Sequence, residues 1–354
     1  MRLRVLVTGG TGFIGSHVAE RLLRIGHDVT ILHRPDSPTL LPACAARRVA
    51  GDVTDPASLR AACASQESVV HTAGLVGSGD RWEAYHRVNV LGTDNVVRAA
   101  LAAGVSRFVH LSSLIVHAAP SPAEPIRETS PLRLRVPIWN HYARSKLMAE
   151  RVVLDAHLRN RIASIVIRPG VVLGPRDRWT TPWILRALEG RPVTLVGSSS
   201  NRIPCVVVEE LADAIARAAT LPELVSEVFD LAGCTPITQR ELFEFHGRAI
   251  GHPGASFTVP APLAWGTAWL LDALDASRGL SPVPPRRLAV EIASADGHVD
   301  FARAAAVLGW CGIASCQDAI RRAVQWERSE HGASHAWLGA SLQSRRTEPT
   351  AVAP

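Results

Sequence analysis

The opening segment limits this chain more than any other. An apolar run over residues 3–8 leads straight into Thr8-Gly9-Gly10-Thr11-Gly12-Phe13-Ile14-Gly15, and residues 15–25 then read as a helix. The glycines fall in two overlapping spacings, Gly10, Gly12, Gly15 and Gly9, Gly12, Gly15. A strand, a glycine turn and a helix in that order form the context in which such spacing binds a dinucleotide. The turn lets backbone approach a pyrophosphate, and the helix N-terminus offers unpaired N–H groups to it. The Lys and Ser/Thr of a nucleotide-hydrolase loop are absent.

The elements that follow alternate. Residues 29–33, 68–71, 107–112 and 162–168 read as strands, and residues 85–103 and 142–157 as helices, with a loop carrying Gly51-Asp52-Val53 between the second and third strands. Strands separated by helices pair in parallel. Their continuous apolar character predicts a sheet covered on both faces. The expected fold class is α/β, a Rossmann-type doubly wound parallel sheet with a smaller mixed α/β substrate lobe. Residues 1–175 form the dinucleotide domain, completed by 206–232 and part of 299–328, with helices expected at 301–308 and 315–328. Residues 176–205 and 233–298 form the lobe, and 329–354 is expected to be a flexible tail.

Bulk properties exclude several classes. The net charge of +6 is spread without a dense Lys/Arg run, so no nucleic-acid partner is expected. The N-terminus is too soon broken by glycines for a signal peptide. The most apolar stretch, residues 257–274, is interrupted by Pro260, Pro262 and Asp272 and falls short of a spanning helix. It reads as a buried or substrate-covering helix, with membrane-surface contact as the alternative. Six cysteines form no C-x-x-C, and the closest pair, Cys311 and Cys316, reads as small core residues rather than metal ligands or a disulfide. No metal is expected, and the default location is the cytoplasm.

Specific side chains follow from this frame. An acidic residue at the end of the second strand would bind both ribose hydroxyls of NAD; this chain has Arg34 there. A guanidinium suits a 2′-phosphate, so NADP(H) is favoured over NAD(H). Asp52 and Val53 are placed for the adenine, and Thr72-Ala73-Gly74 supplies small residues beside the cofactor. Tyr142 and Lys146 stand at i and i+4 on one helix face. A neighbouring ammonium is expected to lower the tyrosine pKa, which would let Tyr142 exchange a proton with a substrate oxygen. Ser113, after the strand Phe108-Val-His-Leu-Ser112, is expected to hold that oxygen, while Ser112 bonds locally. Asn89, inside an apolar helix, needs a partner near Lys146 or serves structure alone.

Together these residues resemble the extended short-chain dehydrogenase/reductase superfamily, of the NAD-dependent epimerase/dehydratase type. The resemblance rests on residues 8–15, Gly51-Asp52-Val53, Asn89-Val-Leu-Gly92-Thr93, Leu111-Ser112-Ser113, Tyr142-Ala-Arg-Ser-Lys146 and Ile167-Arg168-Pro169-Gly170-Val171, and runs to about residue 328. It implies Tyr142 as acid/base, Lys146 as support for the tyrosine and the ribose, and Ser113 as substrate-orienting group. It also implies that Pro169, Gly170 and Val171 approach the nicotinamide. Within the superfamily the chain looks most like the branch of 3β-hydroxysteroid dehydrogenases, sterol-4-carboxylate dehydrogenases and long-chain 2-alkyl-3-ketoacid reductases. Two departures stand out. Leu114-Ile115 replaces the Asp-Glu of sugar-nucleotide dehydratases, and Val116-His117-Ala118 replaces the frequent Val-Tyr-Gly.

The leading expectation is therefore reduction of a ketone, or the reverse oxidation, on an apolar or cyclic small molecule. Leu114, His141, Arg178, Trp179 and Trp183 are candidate substrate contacts, and His141 is alternatively a helix cap. Epimerisation of a nucleotide sugar, with Arg178 and Arg202 on its diphosphate, and a non-catalytic cofactor-binding regulator are the other readings. A homodimer is an open alternative.

Overall fold

The computed structural model describes residues 2–35, 39–41, 46–76, 81–159, 162–189, 193–223, 225–233, 235–278 and 286–329. Its centre is a parallel sheet of seven strands. In spatial order they are Glu227–Leu231, Ala163–Pro169, Arg107–Leu111, Ser68–His71, Arg4–Thr8, Asp28–His33 and Arg47–Ala50. Chain order reverses between Arg4–Thr8 and Ser68–His71, which opens a crevice at the carboxyl ends of those strands.

The alternation of side chains along each strand feeds two apolar layers. Val5, Val7 and Ile31 pack with Leu22 of the first helix and with Leu211 and Ile215 of helix Val208–Thr220. Leu6, Leu32 and Val69 face the other way, onto Val96 and Val153 of helices Gly92–Ala102 and His141–Leu158. Each such fully buried side chain contributes about 1.5–3 kcal/mol. A further cluster joins Leu173, Ile184, Leu195, Phe243 and Ile320 beside the sheet. The segment leading into it is pinned to the first helix: Arg176, at φ 71, reaches Ser16 Oγ (3.0 Å) and Glu20 Oε1 (2.8 Å).

Several expectations change. The edge strand Arg47–Ala50, helix Pro56–Cys63 and strand Glu227–Leu231 were not marked by apolar pattern. The run 85–103 is not one α-helix but a π-helical turn, His86–Leu91, followed by Gly92–Ala102. Helix Ala261–Ser277 is not buried as a whole: Ala264, Ala268 and Asp272 are, while Leu263, Trp269 and Leu270 face outward. Cys316 is buried but Cys311 is exposed, since Cys311 lies in the turn before the last helix. The tail expected to be flexible lies, from residue 330 on, outside the described residues.

The glycine turn and the loop after Ser68–His71 touch backbone to backbone. Gly9 has φ +72, and a Cβ there would lie 2.7 Å from Ala73 N. A Cβ on Gly15 would lie 2.2 Å from Gly9 O, whereas on Gly12 its nearest contact is Gly9 O at 3.2 Å. Gly15→Ala should therefore cost about 1–3 kcal/mol or more in urea unfolding, and Gly12→Ala clearly less. Equal losses would mean that the turn is not packed this tightly.

Candidate active site

A cavity of about 990 Å³ opens at the carboxyl ends of the central strands. Gly9, Thr11, Gly12, Phe13, Ile14 and Gly15 form one end, with Arg34, Asp52, Val53, Thr72, Ala73 and Gly74 beside them. Ser112, Ser113, Leu114, Tyr142, Lys146, Pro169, Gly170 and Val171 lie on its walls, as do Arg178, Trp179 and Trp183. Gly10 is not on the wall; its missing side chain makes room for Ile31, whose Cγ2 would be 2.9 Å from a Cβ.

The dinucleotide end is shaped for an anion. Helix Phe13–Arg24 begins at Gly12 with no side-chain cap and no acidic residue in its first turn, so its N–H groups stay available. These features, with the bare backbone at Gly9 and Gly12, fit a pyrophosphate. Thr72 Oγ1 donates to Thr8 O (2.7 Å), which holds the loop against the turn. Asp52 Oδ1 accepts from Thr54 N and Thr54 Oγ1, both at 2.8 Å, and so fixes its own turn. Arg34 is exposed, and no carboxylate among the described residues pairs with it.

The reacting end is built on helix His141–Leu158. Asn140 caps it by accepting from Ala143 N (3.0 Å), so His141 is not the cap. Nor does His141 face the cavity; its ring packs 6.1 Å from those of Trp82 and Tyr85. Tyr142 opens onto the cavity beside Ser113, whose side chain favours the ionised phenol. Lys146 is 5% exposed and donates from Nζ to Leu111 O at 2.7 Å.

Asn89 lies off the cavity wall. Its Oδ1 accepts from Leu75 N (2.7 Å), and its Nδ2 donates to Leu75 O (3.0 Å) and Ser145 Oγ (2.9 Å). It ties the loop after Gly74 to the Tyr142 helix rather than touching a ligand.

The electrostatics differ from the sequence expectation. Tyr142 is not lowered; burial pushes its hydroxyl up to about 12, against a smaller opposing effect of the Ser113 side chain. Burial also brings Lys146 down to about 8, with Glu150 opposing. A group that titrates near 8 still holds its ammonium at neutral pH, and the tyrosine's rise follows from its own burial. Beneath Lys146, His71 is held neutral by burial, near 3, between Thr8 Oγ1 (2.7 Å) and Thr93 Oγ1 (2.9 Å). His110 stacks on His71 at 5.6 Å and is lowered for the same reason.

Glu150 and Asp230, neither of them a candidate from sequence, organise several of the contacts that follow. Ser112 Oγ donates to Glu150 Oε2 (2.7 Å) rather than to local backbone. Arg168 pairs with Glu150 through both Nε (3.1 Å) and Nη2, and its Nη1 lies 3.5 Å from Asp230. Asp230 Oδ2 also holds His117 Nε2 at 2.8 Å, and His117 reaches the cavity wall. The available signal was a charge inside each apolar strand, Arg168 and Asp230, and Glu150 one turn after Lys146. Arg178 carries buried Nε and Nη2 atoms without partners, and burial lowers its pKa. Arg202 stands off the wall, held by Asp296 at 2.8 Å.

Residues 5–232 match the NAD dependent epimerase/dehydratase family. The chain belongs to this family. It is 30% identical over 282 residues to a 2-alkyl-3-oxoalkanoate reductase of Stenotrophomonas maltophilia, which covers 77% of this chain and 82% of the relative. It is also 30% identical over 332 residues to a 3 beta-hydroxysteroid dehydrogenase/Delta 5-->4-isomerase of Mycobacterium tuberculosis, covering 90% and 88%. The structure of the Thermus thermophilus UDP-glucose 4-epimerase complex with NAD shares the fold, at a TM-score of 0.71 and 24% identity over 93% of this chain and 100% of that one. The family is one of NAD(P)-binding enzymes, and the expected oxidoreductase class stands. Among the described residues no helix is long and apolar enough to cross a membrane.

The lowered pKa of Lys146 makes stability depend on pH. The folded protein loses this proton near 8 and the unfolded chain near 10.5. Between those values the unfolded state binds more protons, so this group makes folding more favourable as pH rises. The melting temperature of wild type minus that of Lys146→Met should increase from about pH 7 to about pH 10. A constant difference would contradict a buried ammonium.

Proposed function

We propose that the protein is an NADP(H)-linked ketoreductase for a small molecule with an apolar body, working through Tyr142. The observation that carries this reading is that Ser113, Tyr142 and Lys146 share the wall of one cavity with the glycine turn. Residues 1–175, 206–232 and part of 299–328 make the dinucleotide domain; 176–205 and 233–298 make the substrate lobe.

The bound dinucleotide supplies the hydride. Ser113 Oγ holds the substrate carbonyl oxygen, and Tyr142 Oη gives that oxygen its proton as the carbon is reduced. A tyrosine with its pKa near 12 keeps that proton at neutral pH, which suits reduction better than oxidation. Lys146 is the candidate ribose ligand, one turn along from Tyr142. The free oxygen of Asp52 suits an adenine amino group, and Val53 the ring beside it. Arg34 suits a 2′-phosphate.

Leu114, Trp139, Trp179, Trp183 and Trp265 give the far end an apolar character. The unpartnered nitrogens of Arg178 suit one acidic oxygen there, as in a 3-oxo acid. This arrangement counts against a nucleotide sugar, because Arg202 is already neutralised by Asp296. A purely regulatory protein would have no use for the paired Ser113 and Tyr142 hydroxyls.

Tyr142→Phe should lower kcat for NADPH-dependent reduction of a 3-oxo acid by about 10²–10⁴-fold while cofactor Kd stays unchanged. Unchanged turnover would remove Tyr142 from the mechanism. Arg34→Ser should weaken NADPH binding by about tenfold or more, since it deletes a charged bidentate partner, and leave NADH binding as it was. Equal effects on both cofactors would refute the phosphate assignment.

A further inference from the structure

Helix Ala261–Ser277 has two apolar sides with different surroundings. On one, Ala264 and Ala268 pack against Val290, and Trp265 lines the cavity. On the other, Leu263, Trp269 and Leu270 are 58%, 62% and 52% exposed, and Leu274 is exposed beside them. A second exposed apolar pair, Leu134 and Ile138 at 98% and 82%, precedes Trp139, whose ring stands 6.0 Å from that of Trp265 on the cavity side of the helix. Monomeric proteins rarely leave such a contiguous apolar surface in water.

We infer that this face docks on a lipid bilayer surface and sets the mouth of the cavity against it. The charge pattern favours lipid. Between Pro260 and Arg278 the outward face bears no charged group, because Asp272 and Asp275 are turned to Arg286 and Arg287. The exposed charges next in sequence to these apolar residues, Arg135 after Leu134 and Arg278 at the end of the helix, are cationic, which complements anionic headgroups. The polar atoms are spent as well. Thr267 Oγ1 donates back to Leu263 O (3.0 Å) and Ser277 Oγ to Leu274 O (2.8 Å). That leaves the Trp269 indole N–H as the one free side-chain donor among the described residues of this face, few for a protein interface, which carries about one hydrogen bond per 100–200 Å², and an indole suits the headgroup level of a bilayer. The helix has 17 residues, about 25 Å of length, which suits lying flat in the interface rather than crossing it.

The cavity ties this face to the chemistry. Pro137, Ile292 and Trp265 of the helix itself line it, and Pro137 and Ile292 are also exposed at the surface. An apolar substrate, the class proposed above, passes from the lipid phase into the site without crossing water; the inference rests on that reading for its purpose, not for the docking itself.

The test is co-sedimentation of the full chain with phosphatidylcholine vesicles, with and without phosphatidylglycerol. Wild type should pellet with both, more with the anionic ones, and Leu270→Glu/Leu274→Glu should bind about tenfold more weakly or worse. Neither leucine lines the cavity, so NADPH binding in the double variant should equal wild type and report that it is folded. Wild type that stays in the supernatant, or a double variant that pellets like wild type, overturns the proposal. So does a wild-type dimer in light scattering that the double variant dissolves, which would give the face to a second copy. Turnover of a water-soluble 3-oxo acid without vesicles tests the ketoreductase reading separately.

Discussion

One buried cluster of charges fixes the parts that the site requires. Arg168 comes from a central strand, Glu150 from the helix of Tyr142, Asp230 from the neighbouring strand and His117 from the loop after Ser113. All four are at most 3% exposed. A charge in that position is tolerable only with its partners in place, and losing one typically costs about 3–5 kcal/mol. The cluster therefore permits one register of helix on strand. That register puts Glu150 under Ser112, Lys146 at Leu111 O and Tyr142 at Ser113. Attractive energy is not its main contribution; it makes alternative packings expensive.

The cavity then combines two solvents in one space. At the sheet, backbone N–H groups and small residues suit a charged cofactor. Away from it, tryptophans and aliphatic side chains suit an oily substrate. Tyr142 and Lys146 sit at the border, and burial acts on both in the direction that removes charge. Such a border needs dense support, and the neutral pair His71 and His110 supplies it without adding a competing charge.

The parts of the chain that were legible in sequence share a physical cause. Strands covered on both faces are apolar throughout, and the strand Ser68–His71 is buried at every position. The glycine turn was readable because only glycine tolerates its backbone contacts. The edge strand Arg47–Ala50 carried no such signal, since an edge leaves its side chains in water and two of them are arginines. Helix Pro56–Cys63 was signalled only by its start, Asp55 accepting from Ala57 N with proline behind it. Strand Glu227–Leu231 was obscured by Asp230, a charge that makes sense only once Arg168 is seen beside it. The raised pKa of Tyr142 escapes sequence reading for a related reason: spacing reveals a neighbour at i+4, but not how deeply both groups are buried.

The π-helical turn at His86–Leu91 carries one residue more than α-helical winding would need. That surplus lets Asn89 turn inward to the backbone of Leu75 and to Ser145. A helical residue advances about 100° around the axis. Deleting one residue here would restore ordinary winding and swing the amide away from both partners, although the helix itself would be better formed. Length in this segment is thus under tighter constraint than residue identity, because a deletion here would release both the Leu75 loop and the Tyr142 helix from Asn89.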